Sequence, residues 1–372
     1  MRRKASLILA ACVPLALVIA LLSLGLSQLV GARAWHTSCK STGFSWHGVT
    51  LTAALVNPST TVTGVVNATG CDVGVFFSSG VTGSIVNADI YGALDFGVLN
   101  VGANVTIKQS RIHDIGDVHL SNIHVGVGIY FANDSHACGT IEGNTITHYL
   151  RSGVIIAGPS DSAVISNNTL IGLGPISFVA QTGIQIVGGA HVSLSGNHIT
   201  ANIYVGSQPG VAAGIAVVGG SCYGLPLTLG LQLKSNVLQD NDIGIWISEL
   251  SIGARQGLCV SARTATHIVL LSNTISNARI LNVSGAEGQS YQAGITIQGS
   301  GVSIVSNTIC GAGYLTAARA TVAGYIYPID LVLATDLKLS GNTACGGSAL
   351  DLSLGLGTTT DIQSHLLVAL VL

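Results

Sequence analysis

A short phrase recurs along this 372-residue chain. It consists of an apolar residue, two variable residues, a polar corner residue, one more variable residue and a second apolar residue. Most copies carry an Ile or Leu three residues before the corner residue, and an apolar residue two residues after it. The copies align on Ser110, Asn144, Asn168, Asn197, Asn236, Asn273, Asn307 and Asn342. Successive copies lie 24 to 39 residues apart, and a period of this length is typical of a solenoid.

A second phrase alternates with the first and supplies another apolar segment in each repeat. It reads GVGIYF at Gly126, SGVIIAG at Ser152, TGIQIVG at Thr182, AGIAVVG at Ala213, IGIWIS at Ile243 and AGITIQG at Ala293. Apolar residues two positions apart indicate strands, and the Gly, Thr, Val and Ile content disfavours helices. Each coil should therefore hold at least two short strands. The corner Asn should adopt a left-handed conformation and bond backbone amides or the next Asn, which is a structural role.

Both phrases resemble the repeats of right-handed parallel β-helix proteins of the pectate-lyase-like superfamily, over residues 70–347. The resemblance implies an all-β, single-stranded right-handed parallel β-helix of roughly eight to ten coils. It implies no one reaction, because this fold carries lyases, hydrolases, epimerases, esterases and adhesins. The motifs typical of polygalacturonases, alginate epimerases and pectin methylesterases do not occur in this sequence.

Residues 1–34 have the pattern of a targeting segment. A positive stretch at Arg2 to Lys4 precedes an apolar run, and Ala32-Arg33-Ala34 fits a cleavage site for a signal peptide. The apolar run is also long enough to serve as an uncleaved membrane anchor. Either alternative exports the rest of the chain, as a secreted or outward-facing anchored protein.

The remaining chain divides into three segments. We expect an N-terminal cap in residues 35–83 that covers the open end of the first coil, since solenoids need such caps. The coils should occupy residues 84–347, and residues 348–372 should form a C-terminal cap or tail.

Composition narrows the choice of partners. Charged residues make up 8 % of the chain and its net charge is −2, whereas ordinary domains have roughly 25 % charged residues. Nucleic acid is therefore not an expected partner. A membrane is expected to be contacted only through the N-terminal segment if it stays uncleaved, and the oligomeric state is left open.

The cysteines predict disulfides, as an exported protein allows. Cys310 and Cys345 each follow an aligned Asn by three residues, so they should lie in neighbouring coils, about 4.8 Å apart and within disulfide reach. Two further pairs could form, one in the N-terminal cap and one between two long loops. These pairs are Cys39 with Cys71 and Cys222 with Cys259. Cys138 is then left over, and no C-x-x-C motif suggests a zinc or redox site.

Long segments follow several aligned corners, and stacking should place them on one flank, where binding groups commonly lie. We expect a groove there for an extended glycan. Its candidate binding residues are Tyr149, Tyr204, Tyr291, Tyr314 and Arg319.

The first of these segments is the densest in acid–base groups. Its candidate catalytic residues are Asp114, Asp117, His119 and His124, and Arg151 of the next coil is added to them. Together a carboxylate, an imidazole and a guanidinium could transfer protons or bind a uronate. The structural alternative is a polar loop that bonds its own backbone. No metal or cofactor is expected. Calcium is an unsupported alternative, because two Asp in one segment supply few of the oxygen ligands it needs.

The outward column of the second phrase offers no pair of acids for a hydrolase. It is expected to contain Tyr130, Ile155, Gln185, Ala216, Trp246, Thr296 and Ile326. Two functions remain. The favoured one is an exported scaffold with no assignable reaction and with polysaccharide as its expected ligand. The alternative is a divergent polysaccharide lyase or epimerase that acts on a uronate-containing glycan.

Overall fold

The computed structural model describes a stack of parallel β-coils and two short helices. The residues it describes are 35–36, 38–116, 125–132, 134–206, 210–253, 259–280, 290–315 and 324–345. The expected targeting segment and C-terminal tail lie outside these residues. A 3-10 helix spans Ser221–Tyr223 and helix α1 spans Ala312–Leu315. Within the described part of the chain, no helix is both long and apolar enough to cross a membrane.

Three strands form each complete coil, and strands of successive coils pair in parallel in three columns, which we call sheets 1 to 3. Sheets 2 and 3 are joined into one continuous sheet near the N-terminal end. Sheet 1 holds the strands of the second sequence phrase: β3 (Val49–Val56), β5 (Val73–Phe77), β7 (Phe96–Asn100), β10 (Val127–Phe131), β13 (Ser152–Ala157), β16 (Thr182–Val187), β19 (Ala213–Gly219), β22 (Ile243–Ile252), β26 (Ser290–Ser300) and β29 (Gly324–Thr335). Sheet 2 holds the strands before the Asn corner: β8 (Asn104–Lys108), β11 (Cys138–Glu142), β14 (Ser162–Ser166), β17 (His191–Ser195), β20 (Gln232–Lys234), β24 (Val269–Leu271), β27 (Ser303–Val305) and β30 (Lys338–Ser340). Sheet 3 holds the strands after that corner: β9 (Arg111–Ile115), β12 (Thr145–Tyr149), β15 (Thr169–Ile176), β18 (His198–Tyr204), β21 (Val237–Gln239), β25 (Thr274–Ser276), β28 (Thr308–Cys310) and β31 (Thr343–Ala344).

A few strands depart from this pattern. The strands β4 (Val62–Asn67) and β6 (Thr82–Tyr91) run through both sheet 2 and sheet 3, and β1 (Trp35–His36) pairs with β4. The strands β2 (Lys40–Trp46) and β23 (Cys259–Ser261) pair antiparallel with β3 and β22. The expected parallel β-helix is confirmed, with sheet 1 carrying ten parallel strands in the described residues.

The coils begin earlier than the sequence interpretation placed them. Strand β3 already pairs in parallel with β5, and β4 with β6, all within or next to residues 35–83. Aromatic residues of the same region pack on the face of sheet 1. Trp46 packs edge-on against Tyr130, with ring centroids 5.5 Å apart. The β2–β3 hairpin thus covers the outer face of sheet 1 near the N-terminal end.

The aligned Asn residues form a buried ladder, as predicted. In Asn144, the backbone N–H and Nδ2 both donate to Oδ1 of Asn168 at 2.9 Å, and Nδ2 also donates to the carbonyl of Ile107. The same bonds recur along the stack to Asn342. The ladder starts one coil earlier than the alignment, because Ala88 N–H donates to Oγ of Ser110 at 3.1 Å.

The left-handed conformation expected for the ladder Asn belongs instead to the residue before it. Positive φ angles occur at Gln109, Gly143, Asn167, Gly196, Ser235, Ser272, Ser306 and Gly341. That residue makes the bend on the surface, which leaves the following Asn free to turn its amide inward. The predicted ladder bonds are therefore confirmed. The backbone bend lies one residue earlier than predicted.

Glycine in the second phrase is required by close packing between coils. A Cβ on Gly128 would lie 2.5 Å from the carbonyl oxygen of Gly153 and 2.7 Å from Cγ2 of Ile146. The glycines at the same position of other coils, Gly97 and Gly244, have equally close contacts. The backbone of sheet 1 therefore lies directly against the core, which only glycine permits.

The register of sheet 1 corrects one position of its outward column. Thr296 pairs with Asp330, whereas Ile326 pairs with Gln292. An acid thus lies in the column where the sequence interpretation placed none. Asp330 is fully buried, and the rest of the column in the described residues remains without an acid.

Three disulfides join adjacent coils, as predicted. Their Cα–Cα distances are 5.4 Å for Cys39–Cys71, 5.6 Å for Cys222–Cys259 and 5.0 Å for Cys310–Cys345. Cys138 is a free, partly exposed thiol.

Candidate functional site

Several of the acids are buried and act as structural acceptors. Oδ2 of Asp242 accepts the N–H of Tyr204 at 2.8 Å, and Oε2 of Glu249 accepts the N–H of Thr228 at 3.1 Å. Burial raises the pKa of Asp242 and of Glu249 to about 8, and that of Asp161 to about 6. A polymer in solvent cannot reach such groups, so the exposed acids are the candidates for a binding site.

Two exposed acids and two histidines lie together on the outer face of sheet 3, at its N-terminal end. Nδ1 of His113 is 2.6 Å from Oδ2 of Asp114, and its Nε2 is 3.0 Å from Oδ1 of Asp89. Nδ1 of His148 is 3.3 Å from Oδ1 of Asp114. We call Asp89, His113, Asp114 and His148 the His113 cluster.

Strand register brings these residues together although they are far apart in sequence. Tyr91 pairs with His113 between β6 and β9, which places Asp89 two positions away on the same outer face. Asp114 and His148 have φ angles of +53° and +50°. This left-handed bend directs both side chains outward and turns the next residue of each strand, Ile115 or Tyr149, into the core.

The cluster combines one shielded imidazole with solvent-exposed partners. The His113 side chain is 10 % exposed, whereas those of Asp114 and His148 are each 57 % exposed. The ring of Tyr91 stacks on His113, with centroids 5.3 Å apart and planes 18° apart. Each ring nitrogen of His113 faces a carboxylate oxygen. The exposed oxygens and His148 remain accessible to the hydroxyls of a ligand.

A row of mostly polar residues continues from the cluster along sheet 3. Thr145 pairs with Arg111 and Thr169, and Thr169 pairs with His198. Rung spacing in parallel sheets is about 4.8 Å, so these side chains form an open, regular row along the solenoid axis. The row continues through Val237, Thr274, Thr308 and Thr343.

Only part of the predicted catalytic set can be located. Asp114 lies in the cluster, and its catalytic role stays a prediction. Asp117, His119 and His124 lie outside the described residues. Arg151 is half-buried at the turn between β12 and β13, and burial lowers its pKa. It takes part in none of the ion pairs found in the described part of the chain.

Three of the predicted binding tyrosines are buried, which corrects their expected place in a surface groove. Tyr149 and Tyr314 are fully buried and Tyr204 is 6 % exposed. The hydroxyl of Tyr149 donates to Oδ1 of Asn202 at 2.7 Å inside the coils. The rings of Tyr149 and Tyr314 thus fill the core, whereas the ring of Tyr204 is covered by Gly210 and its surroundings. None of the three offers a stacking surface to a glycan.

The other two binding candidates are not positioned by the structure. The backbone of Tyr291 lies in β26, and Arg319 lies outside the described residues. Asp89 was missed by the sequence interpretation, although the segment IVNADI at Ile85 has the spacing of the repeat. Its corner position holds Ala88 in place of Asn, so the copy was not aligned.

Possible metal ligands are not gathered at one place in the segments that the structure describes. No group of three or more His, Cys, Asp or Glu residues in those segments is placed to hold a metal ion.

Comparison with known proteins identifies the fold. The family model described as "Right handed beta helix region" matches residues 52–229 and 127–344. The first similar solved structure is the Dettilon tailspike protein, with 16 % identity and a TM-score of 0.35, over 78 % of this chain and 54 % of that chain. A second is DFA-IIIase from Arthrobacter chlorophenolicus A6 in complex with DFA-III, with 12 % identity, a TM-score of 0.40 and 82 % and 72 % coverage.

A third similar structure is the tailspike of E. coli bacteriophage HK620 in complex with a pentasaccharide. It has 12 % identity, a TM-score of 0.42, and coverage of 80 % of this chain and 57 % of that chain. This chain thus spans little more than half the length of either tailspike. No curated protein matches the sequence.

Proposed function

The chain belongs to the right-handed β-helix family, and we propose that it is an exported protein that binds a polysaccharide on the outer face of sheet 3. The observation that carries this proposal is the His113 cluster. It places carboxylate oxygens and imidazole nitrogens within hydrogen-bond reach of one another, with Asp114 and His148 each 57 % exposed. Such groups are suited to the hydroxyls of a sugar.

The row of threonines gives the site its length. Thr145 and Thr169 continue from the cluster in register, one per coil, and Thr145 is exposed. An extended polymer that lies along the solenoid axis would meet one rung after another. This arrangement favours a chain ligand over a single small molecule.

Export is supported by the cysteines and by the N-terminal sequence. Disulfides persist in oxidising compartments, and the chain has three of them among the described residues. The positive stretch and apolar run of residues 1–34 have the pattern of a targeting segment. A signal peptide and an anchor remain alternative fates of that segment.

A second candidate function is a lyase or epimerase acting on a uronate. It is favoured by one observation, the contact of the exposed His148 with Asp114. In a lyase reaction a base removes the proton next to the uronate carboxylate, a carbon–carbon double bond forms, and the bond to the leaving sugar oxygen breaks as that oxygen takes up a proton. An imidazole oriented by a carboxylate is suited to take that proton.

One experiment separates polysaccharide binding from a lyase reaction. The purified protein is incubated with neutral and uronate polysaccharides, and both retention on the insoluble glycan and ultraviolet absorbance are followed. We expect retention that is lost in His113→Gln and Asp114→Asn. Glu142→Gln is the matched control, because it breaks an exposed ion pair with Lys108 on sheet 2 and should leave retention intact.

The outcomes have distinct meanings. Rising absorbance would show an unsaturated product and establish the lyase. Equal retention of the wild type and both cluster variants would exclude the His113 cluster as the binding site, and no retention on any glycan would exclude the proposed function.

A further inference from the structure

A shallow cavity lies on the outer face of sheet 2, on a different side of the solenoid from the His113 cluster. Its volume is about 350 Å³, which is within the range of small-molecule sites. The floor is formed by β14 and β17, and one wall by the segment Leu229–Leu231. The proposed glycan site on sheet 3 does not include it.

The floor combines polar and aliphatic groups because of the strand register. Ser162 pairs with His191, and Val164 pairs with Ser193. All four side chains alternate with core residues and therefore point outward. Val164 is 48 % exposed, which leaves an aliphatic surface beside two hydroxyls and an imidazole.

The wall adds a second aliphatic surface. Leu229 is 50 % exposed and lines the same cavity. Two exposed aliphatic side chains thus face one concave space together with Ser162, His191 and Ser193. Among the described residues that line this space there is no Lys, Arg, Asp or Glu, so the cavity offers no ion pair to an acidic sugar.

The wall is held in place by three separate contacts. The N–H of Thr228 donates to Oε2 of Glu249 at 3.1 Å, and the N–H of Gly230 donates to the carbonyl of Thr266 at 2.8 Å. The disulfide between Cys222 and Cys259 restrains the loop that leads into this segment. A preformed wall lowers the ordering cost of binding.

From this geometry we propose that the cavity binds one neutral pyranose residue. The apolar C–H face of the ring packs on Val164 and Leu229, and ring hydroxyls bond Ser162, His191 and Ser193. The inference goes beyond the function proposed above, because it concerns another sheet and an uncharged ligand. It also stands independently of that function.

The test measures saturation-transfer NMR and titration of the full protein with glucose, galactose, mannose and N-acetylglucosamine, with glucuronate as the acidic comparison. We expect a signal from at least one neutral sugar and a weaker one from glucuronate. Val164→Lys should weaken binding at least about tenfold, because it removes the apolar surface on which the ring packs, and burial of one aliphatic side chain contributes roughly that factor. Ser193→Ala should weaken it by a smaller factor.

One variant serves as the matched control. Val49→Lys places the same charge at another exposed valine, 62 % exposed on the N-terminal hairpin, and should bind like the wild type. The inference is overturned if no neutral sugar gives a signal, or if Val164→Lys binds as well as Val49→Lys.

Discussion

Oδ1 of Asn168 accepts two hydrogen bonds from Asn144, one from the backbone N–H and one from Nδ2, both at 2.9 Å. Every ladder Asn from Asn168 to Asn342 satisfies two donors of the preceding coil in this way. It also donates its own Nδ2 to a carbonyl of that coil, as Asn168 does to Ile141 at 2.9 Å. The ladder is thus a continuous buried network in which removal of one member affects two coils.

We expect Asn168→Ala to lower the free energy of unfolding by about 3 kcal/mol or more, because it leaves buried donors of Asn144 without an acceptor. Urea unfolding measures this. The neighbouring Asn167 is exposed and has a φ angle of +56°, so Asn167→Ala should cost only about 1 kcal/mol. Equal costs for the two variants would contradict the role of the ladder.

Gly128→Ala should be among the most damaging single-methyl changes in the chain. The added Cβ would lie 2.5 Å from a backbone oxygen of the next coil, and we expect a loss of several kcal/mol from this overpacking. Gly80→Ala is the matched control. Gly80 has a φ angle of +77° with no atom within 4 Å of an added Cβ, so it should cost about 1–2 kcal/mol. Thermal unfolding compares the two.

The buried carboxyls predict a pH dependence of stability. Burial raises the pKa of Asp242 and Glu249 to about 8 in the folded protein, so the folded state holds their protons more tightly than the unfolded state. Their stabilising contribution is complete below about pH 4 and is lost as the pH rises through about 8, with each carboxyl contributing a slope of up to about 1.4 kcal/mol per pH unit. We expect the free energy of unfolding to fall across this window.

Asp242→Asn tests this dependence, since an amide mimics the protonated carboxyl and still accepts the N–H of Tyr204. The variant should show a smaller fall in the free energy of unfolding between about pH 4 and 8. Asp336→Asn, at an exposed position, should leave the slope unchanged. A slope in Asp242→Asn equal to that of the wild type would contradict the assignment.

Loss of the Cys222–Cys259 disulfide should destabilise the protein and loosen the cavity wall. The pair closes a loop with a sequence separation of 37, for which chain entropy gives about 4 kcal/mol. The double variant Cys222→Ser/Cys259→Ser should therefore unfold at lower denaturant concentration. Cys138→Ser is the control, because Cys138 is free, and should unfold like the wild type.

The repeat made the fold predictable because one position in each coil is chemically demanding. A buried side chain that must hydrogen-bond to two coils at once is best supplied by Asn, so the ladder appears in the sequence as a column of Asn residues. The disulfide Cys310–Cys345 followed from the same alignment. Where the column breaks, prediction failed, as at Ala88, which concealed the coil that carries Asp89.

The candidate site was harder to predict because backbone bends interrupt the strand alternation. His148 lies in the left-handed region. This bend turns Tyr149 into the core, whereas simple alternation along the strand would point it outward. The contact of His113 with Asp89 depends on register between residues 24 positions apart. A single sequence does not show which residues of successive coils become neighbours on the outer face until every coil is aligned.

The three disulfides also have a mechanical consequence. Cys39–Cys71 lies at the first coils, Cys222–Cys259 in the middle and Cys310–Cys345 at the last described coils. In a solenoid each coil contacts only its neighbours, so tension between the two ends would peel coils away in sequence, starting at a terminus. The disulfides near the two ends join the coils that would unfold first under tension. The central disulfide limits how much chain can be extended on either side of it.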